Sequence, residues 1–573
     1  MTSSIAGKSR IGKSTRKAGA LQRDIGSQVA RRWRGGLTGH FSPSVPRRVM
    51  VMVSLALPFA GCKAVGPDFV TPPAPIADQY LGIEGVSLPE KREENREWWK
   101  AYNDPTLNHL IDLAYSQNLT LLSAGTRVLE ARAVLAIAVG DLYPQQQQVV
   151  GGLNYNRLSK VDVFSPINPS SNFWRASIGV QLAWELDFWG KFRRGIESAD
   201  AGYLASIAAY DDVLVALLGD VATNYIGIRT VEKQIELARA NIARQRKALG
   251  IAQERFKGGS TSRLDVYQAQ NVLGATEARV PQLMIQLEQQ KNALRVLLGM
   301  APKPLDDILA QSSGIPTAPA DVAIGIPADL LRRRPDIRTA ELHAAAQSAQ
   351  IGIAKSELYP SFSLVGSVGL VSSNVGSASL GDIFTMKGLA YSFGPTIQWN
   401  ILNYGQITNN VRAQDARTQA LLIDYQNTVL KAQQQVQDAI ASFFYSNKQA
   451  AFLHDSVVAA TGALDLAFTQ YREGLSDFTT VLTAEQNLLD AENNFTIATG
   501  TTSSSVAAIY RAVGGGWEIR DGNDFVPPAT RDEMRKRTNW GDLLPPSGGL
   551  KPTPPQNLPS PADRGPTVQP VEW

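Results

Sequence analysis

The chain has 573 residues, 44% hydrophobic and 19% charged, so it carries ample apolar sequence for a large fold. Eleven of its 56 Lys and Arg, but only one of its 52 Asp and Glu, precede Cys62. From Cys62 onward 45 basic residues face 51 acidic ones, a net charge of −6, which excludes a nucleic-acid binder despite the basic pI of the whole chain.

In chain order, Arg47-Arg48, the apolar run from Val49 to Ala60 and Gly61-Cys62 have the layout of a secretory signal. The run is too short to span a membrane, which takes about 20 helical residues. Small residues directly before the only cysteine match a bacterial lipobox with Phe59 in place of the usual Leu, so acylation of Cys62 is expected. Residues 1–46 are expected to lie upstream of the true start, and 1–61 are set aside as leader. No cofactor is expected beyond the lipid on Cys62. The expected division is an acylated segment 62–103, a first repeat 104–325, a second repeat 326–517 and a Pro-rich, disordered tail 518–573.

The body is a tandem duplication. Asp141-Leu142-Tyr143-Pro144 recurs as Glu357-Leu358-Tyr359-Pro360, and Trp184 and Gly190 recur as Trp399 and Gly405. Phe256, Gly259, Val266 and Ala269 recur as Tyr471, Gly474, Val481 and Ala484, and Leu298-Gly299 as Val513-Gly514. Anchors held in register at an offset of about 215 residues define two copies of one unit.

Each copy reads helix, strand, strand, long helix, turn, helix. The first helix runs from about Leu119 to Gly140 and its counterpart from Ile337 to Glu357. Residues Trp174 to Leu186 alternate: Trp174, Ala176, Ile178, Val180, Leu182, Trp184 and Leu186 on one face, Arg175, Ser177, Gly179, Gln181, Ala183 and Glu185 on the other. Tyr391 to Ile401 and Phe362 to Leu370 do the same, and Val149 to Tyr155 more weakly; Pro395 is a blemish in its strand. Proline-free stretches of some 65 residues follow, from Gly190 to Lys257 and from Gly405 to Glu473, long enough for helices of about 100 Å. Turns at Gly258-Gly259 and Gly474 send helices back to Gly299 and Gly514.

About 9–11 tilted residues cross a bilayer as strand, and every backbone amide must be paired there. Four strands leave two open edges, and bacterial barrels need about eight or more. Several chains must therefore share one barrel, polar faces toward water and apolar faces toward lipid. Trp174, Trp184, Tyr391 and Trp399 are candidates for aromatic belts at the membrane surfaces. No enzymatic constellation appears: His40, His109, His343 and His454 are scattered, and no zinc-protease motif, phosphate loop or cysteine cluster is present.

Further stretches carry a resemblance: Cys62 to Phe69, Trp98-Trp99 through Asp104-Pro105 and Leu110, the loop Ile326 to Ile337 containing Arg334-Pro335-Asp336, and Gly514-Gly515-Gly516-Trp517. Together they resemble the TolC/OprM outer-membrane factor family, in its lipoprotein, NodT-like branch, over the chain from Cys62 to about Trp517. The resemblance implies a homotrimer whose twelve-stranded β-barrel continues into a long periplasmic α-barrel. It also implies docking to a periplasmic adaptor and an inner-membrane pump, outer-membrane sorting through Lys63, and passive export of small molecules rather than enzymatic work. A duct for ATP-driven polypeptide secretion and a soluble coiled-coil protein are the alternatives. Among gate residues, the resemblance puts Asp265 at a latch aspartate and Tyr471 at a latch tyrosine. The latch arginine is replaced by Ser476 and the pore carboxylates by Thr480 and Thr483, leaving Asp477 as the nearest substitute.

Overall fold

The computed structural model describes residues 64–76, 96–157, 159, 172–319 and 334–544. The leader, Cys62, residues 326–333 of the inter-repeat loop and the chain beyond 544 lie outside the described residues. The chain divides into residues 1–61 and 62–573, and all that follows concerns the second unit.

After a short turn at Trp98–Tyr102 come α1 (Pro105–Gln117), α2 (Leu119–Gly140), β1 (Gln146–Arg157), β2 (Asn172–Leu186), α3 (Lys191–Lys257) and α4 (Arg263–Leu297). The second half gives α5 (Pro335–Ser356), β3 (Ser361–Ser373), β4 (Leu389–Gln398), α6 (Gln406–Glu473) and α7 (Phe478–Ala512), followed by α8 (Pro528–Arg537). The run α2 to α4 is thus repeated as α5 to α7. The long helices match closely, with 67 residues in α3 and 68 in α6, and each returns through a 35-residue partner. At about 1.5 Å per residue, α3 and α6 each reach about 100 Å.

The strands form one antiparallel sheet in the order β1-β2-β3-β4. Its register gathers most apolar positions on one face, Val150, Val365 and Val371 being exceptions on the other. Val149, Val180, Val368 and Tyr391 are partners across the four strands, and Trp184, Leu364 and Pro395 line up on the same face. The opposite face carries Gln148, Gln181, Ser367 and Ser392 in one row. A one-residue slip anywhere would exchange the faces, so the alternation in sequence and the observed register confirm each other. Pro395 lies opposite Leu364 in β4, the outer strand of the sheet within one chain. β4 ends at Gln398, which leaves Trp399 to Ile401, expected as strand, beyond the ladder.

Each strand pair hands over to its long helix through a glycine with positive φ: Gly190 at 81° and Gly405 at 84°. A side chain at either place would strain the backbone, which accounts for the repeated glycine. The strand ends are locked alike in both copies. Trp184 Nε1 donates to the Leu142 carbonyl at 3.2 Å and Trp399 Nε1 to the Leu358 carbonyl at 3.1 Å. Near the first junction, buried Arg194 gathers the N-terminal segment, donating to Asp68 at 2.8 Å and to the Val65 and Gly66 carbonyls at 3.2 Å.

The main core lies where α1, α2, α3 and α7 meet. Trp98 stacks on Tyr510 at 5.3 Å, surrounded by Leu107, Leu110, Leu214 and Leu218. Asp104 caps α1 by accepting from Leu107 N, while its second oxygen accepts from Tyr225 at 2.8 Å. Asn118 caps α2 and also donates to the Leu297 carbonyl at 2.8 Å, joining that helix to the end of α4. Pro335 opens α5, two residues before the Ile337 expected from the sequence. Arg334 just before it donates to the Ala512 carbonyl at 2.5 Å, and a side chain at Gly514 would press on its stem. Two sequence motifs 180 residues apart thus form one joint.

The expectation of a disordered tail from residue 518 is corrected as far as Leu544. Phe525, Val526, Met534 and Leu544 are buried in the main core, and Arg520 pairs with Asp211 of α3 at 2.5 Å. Four apolar side chains and two buried ion pairs, Arg520–Asp211 and Arg531–Asp524, hold this segment in place despite its prolines.

Candidate functional site

The polar face of the sheet is the first functional surface. Between Arg175 at one end and Glu185 at the other, β2 presents Ser177, Gly179, Gln181 and Ala183 on that face. Its neighbours present Asn154, Gln148, Ser363, Ser367, Ser392 and Thr396, all uncharged. The apolar face is open in the single chain, with Val149 77% and Tyr391 70% exposed. At one end of this face Tyr155 packs on Trp174 at 5.1 Å; at the other stand Trp184 and Trp399. Apolar side chains bounded by aromatic rings on one face, hydrogen-bonding groups on the other: such a wall suits hydrocarbon outside and water inside.

The second surface is the far end of the helical hairpins, where both turns meet. An apolar cluster joins Ala248 and Ala252 of α3, Ala269 of α4, Leu464, Ala467 and Tyr471 of α6, and Phe478 and Val481 of α7. Tyr471 is 2% exposed and packs on Phe478 at 5.0 Å. Asp265, in the first turn of α4, accepts a short hydrogen bond from Thr261. Its charge acts on the Tyr471 phenol: burial raises that pKa most, Asp265 adds to the rise, and Thr261 and Arg255 oppose it. The fold therefore places the Asp265 carboxylate close enough to Tyr471 to act on it. Asp477 is not brought in; it is the exposed N-cap residue of α7 and makes no side-chain capping bond.

One partner of Tyr471 escaped the sequence reading. Ser476 stands where the resemblance would put an arginine, and the cation beside Tyr471 is Arg255, in the last turn of α3. Its guanidinium donates to the Tyr471 carbonyl and lies 4.5 Å from the Tyr471 ring centroid. The only sequence signal was a basic residue in the last turn of a helix, a common feature of helix C-termini. Higher up, Arg244 of α3 binds Glu492 of α7 at 2.9 Å, a further tie between the hairpins.

An incomplete antiparallel wall with one apolar and one hydrophilic face, continued by paired 100 Å-scale helices, defines a subunit of a membrane-spanning duct. The chain belongs to the outer membrane efflux protein family, whose model matches residues 110–300 and again 326–515, once for each copy of the duplication. It is 30% identical over 474 residues to the solvent efflux pump outer membrane protein SrpC of Pseudomonas putida, covering 81% of this chain and 97% of that one. Nodulation protein T of Rhizobium leguminosarum bv. trifolii is 28% identical, with 81% and 96% covered. The structure of the outer-membrane channel OprN superposes with a TM-score of 0.72 at 31% identity, covering 79% of this chain and 99% of that one. The chain is thus an outer-membrane efflux protein of TolC-like fold, in the NodT-like branch.

Proposed function

We propose that three copies of this chain close a twelve-stranded barrel and serve as a passive exit duct for small molecules. The observation that carries the reading is the four-stranded sheet with two unpaired edges, β1 and β4, and opposite chemistry on its faces. Unpaired edges and an apolar outer face cannot both be satisfied in a bilayer until other copies complete the ring. The long helix α6 supports the same assembly, because Phe444, Tyr445, Phe452, Val458 and Leu466 stand exposed along it in the single chain. A neighbouring subunit would bury that row.

The helices then extend the tube into the periplasm, where the tips gate it and meet an adaptor and an inner-membrane pump. Energy enters at the pump; the duct itself catalyses nothing. The name of the relative SrpC supports small, apolar cargo. Cys62 carries the lipid anchor. The docking of Ala64 to Asp68 on Arg194, beside the sheet-to-helix junction, supports an anchor at the same level. The test is the assembly state of the detergent-solubilised protein together with its conductance in planar bilayers. A heat-modifiable trimer that forms pores is expected; a stable, folded monomer without conductance would refute the reading.

A further inference from the structure

About 12 Å above the turn of the second hairpin, the apolar seam between α3 and α7 is interrupted by ionisable and polar groups. Glu485 of α7 lies on the same face as Val481 and Leu488, both buried, and is itself 2% exposed. Among the described residues, neither of its carboxyl oxygens has a hydrogen-bond partner. On α3, Gln245 is equally buried with neither amide atom bonded, and Arg244 has an unbonded Nε. The Nη2 of Arg244 is already engaged by Glu492 and Asn241. The apolar side chains of this seam include Ala269 from α4 and Leu464 and Ala467 from α6. Among the described residues, Arg244 is the charged group that acts on Glu485.

An interface that only had to hold would fill this position with a leucine. A carboxyl buried without a partner is tolerable while neutral and costly once ionised. We propose that Glu485 is a proton-operated release between the two hairpins: protonated, it lets α7 pack on α3, and its ionisation drives α7 outward and opens the periplasmic end. The inference rests on the reading of the chain as a channel gated at its tips.

Burial pushes the Glu485 carboxyl up to about 7 from its ordinary 4.5, with Arg244 opposing the rise. The packed state thus binds the proton more tightly than a separated state in which water reaches the carboxylate. Packing is favoured at low pH and weakened as pH rises through about 7. Linkage between those two values lowers the packed-to-separated ratio about tenfold from pH 6 to pH 8.

The experiment is open probability in planar bilayers across that range, for purified full-length trimers of wild type, Glu485→Gln and Glu485→Leu. Wild type should open about tenfold more readily at pH 8 than at pH 6. Both variants should lose the slope and stay near the low-pH level of wild type. Glu485→Leu serves as the second probe should the amide disturb assembly, which heat-modifiability checks for each protein. A conducting wild type without pH dependence, or a Glu485→Gln trimer that keeps the slope, overturns the release alone. Absence of conductance at every pH overturns the channel reading and the release with it.

Discussion

Replacing Arg255 by alanine should loosen the tip of the helical hairpins by an amount that the contacts define. The guanidinium makes two interactions, both with Tyr471 of the other hairpin: a hydrogen bond to its carbonyl and a face-on approach to its ring at 4.5 Å. A hydrogen bond from a charged donor contributes about 1.5–3 kcal/mol and a cation over an aromatic face about 0.5–2 kcal/mol. Arg255 is half-buried, so water recovers part of both, and a net loss of about 1.5 kcal/mol is the reasonable expectation. If the contacts hold only in the packed state, the packed-to-open ratio falls about tenfold. Single-channel recording reads this directly as a rise in open probability. Arg255→Lys should fall between wild type and alanine, because it keeps charge but not the planar stack. Arg246→Ala is the control: its ion pair with Glu277 at 2.8 Å lies on the surface of the first hairpin and contributes about 0.5 kcal/mol at most. Intact Arg255→Ala trimers with wild-type gating would refute the latch.

The sheet allows a paired test: Ile178→Arg on the apolar face should cost about 2–4 kcal/mol and sharply reduce folded trimer in the outer membrane, whereas Gln181→Arg on the polar face should assemble normally. Equal yields of heat-modifiable trimer would show the faces to be misassigned. Phe525→Ala should destabilise the main core by about 3–5 kcal/mol, seen as a lower melting temperature of the trimer; an unchanged melt would mean that this segment contributes nothing to the fold. Cys62→Ala should abolish incorporation of labelled palmitate while leaving pore conductance intact, and acylation persisting in that variant would remove Cys62 as the anchor.

Features that depend on spacing along the chain were legible, and features that depend on meetings between distant residues were not. The strand from Trp174 to Leu186 announces its two faces because side chains alternate at every residue, and its ladder matches that alternation. The long helices declare themselves by uninterrupted proline-free sequence, and their ends fall at the expected glycines. Arg255 could not be found in this way. It meets Tyr471, 216 residues further on, only because two hairpins lie side by side. The segment from Phe525 to Leu544 was hidden by composition: proline pairs and charges dominate it, while the four side chains that anchor it are too sparse to make a period. Trp98 and Arg334 stood out in the sequence only as family motifs. Their physical roles, a stack on Tyr510 and a cap on the end of α7, belong to partners from the other end of the chain.

Where the two copies agree and where they differ follows from what each region must do. A barrel wall needs equivalent strand pairs, so Trp184 and Trp399 make the same bond to the same turn carbonyl in both copies. The tip needs unlike surfaces that recognise each other, and there the copies diverge. The first hairpin has Arg263 over Phe256, while the matching positions of the second hold Phe478 against Tyr471. Arg255 corresponds to Gln470 and Asp265 to Thr480, so cation and carboxylate sit on one hairpin and the phenol on the other. Exchange of a few side chains makes the two tips complementary in charge and shape. A duplicated subunit can therefore keep a uniform wall through the membrane and still join two unlike tips at its far end, provided that substitutions concentrate in the helical turns on either side of its hairpin turns.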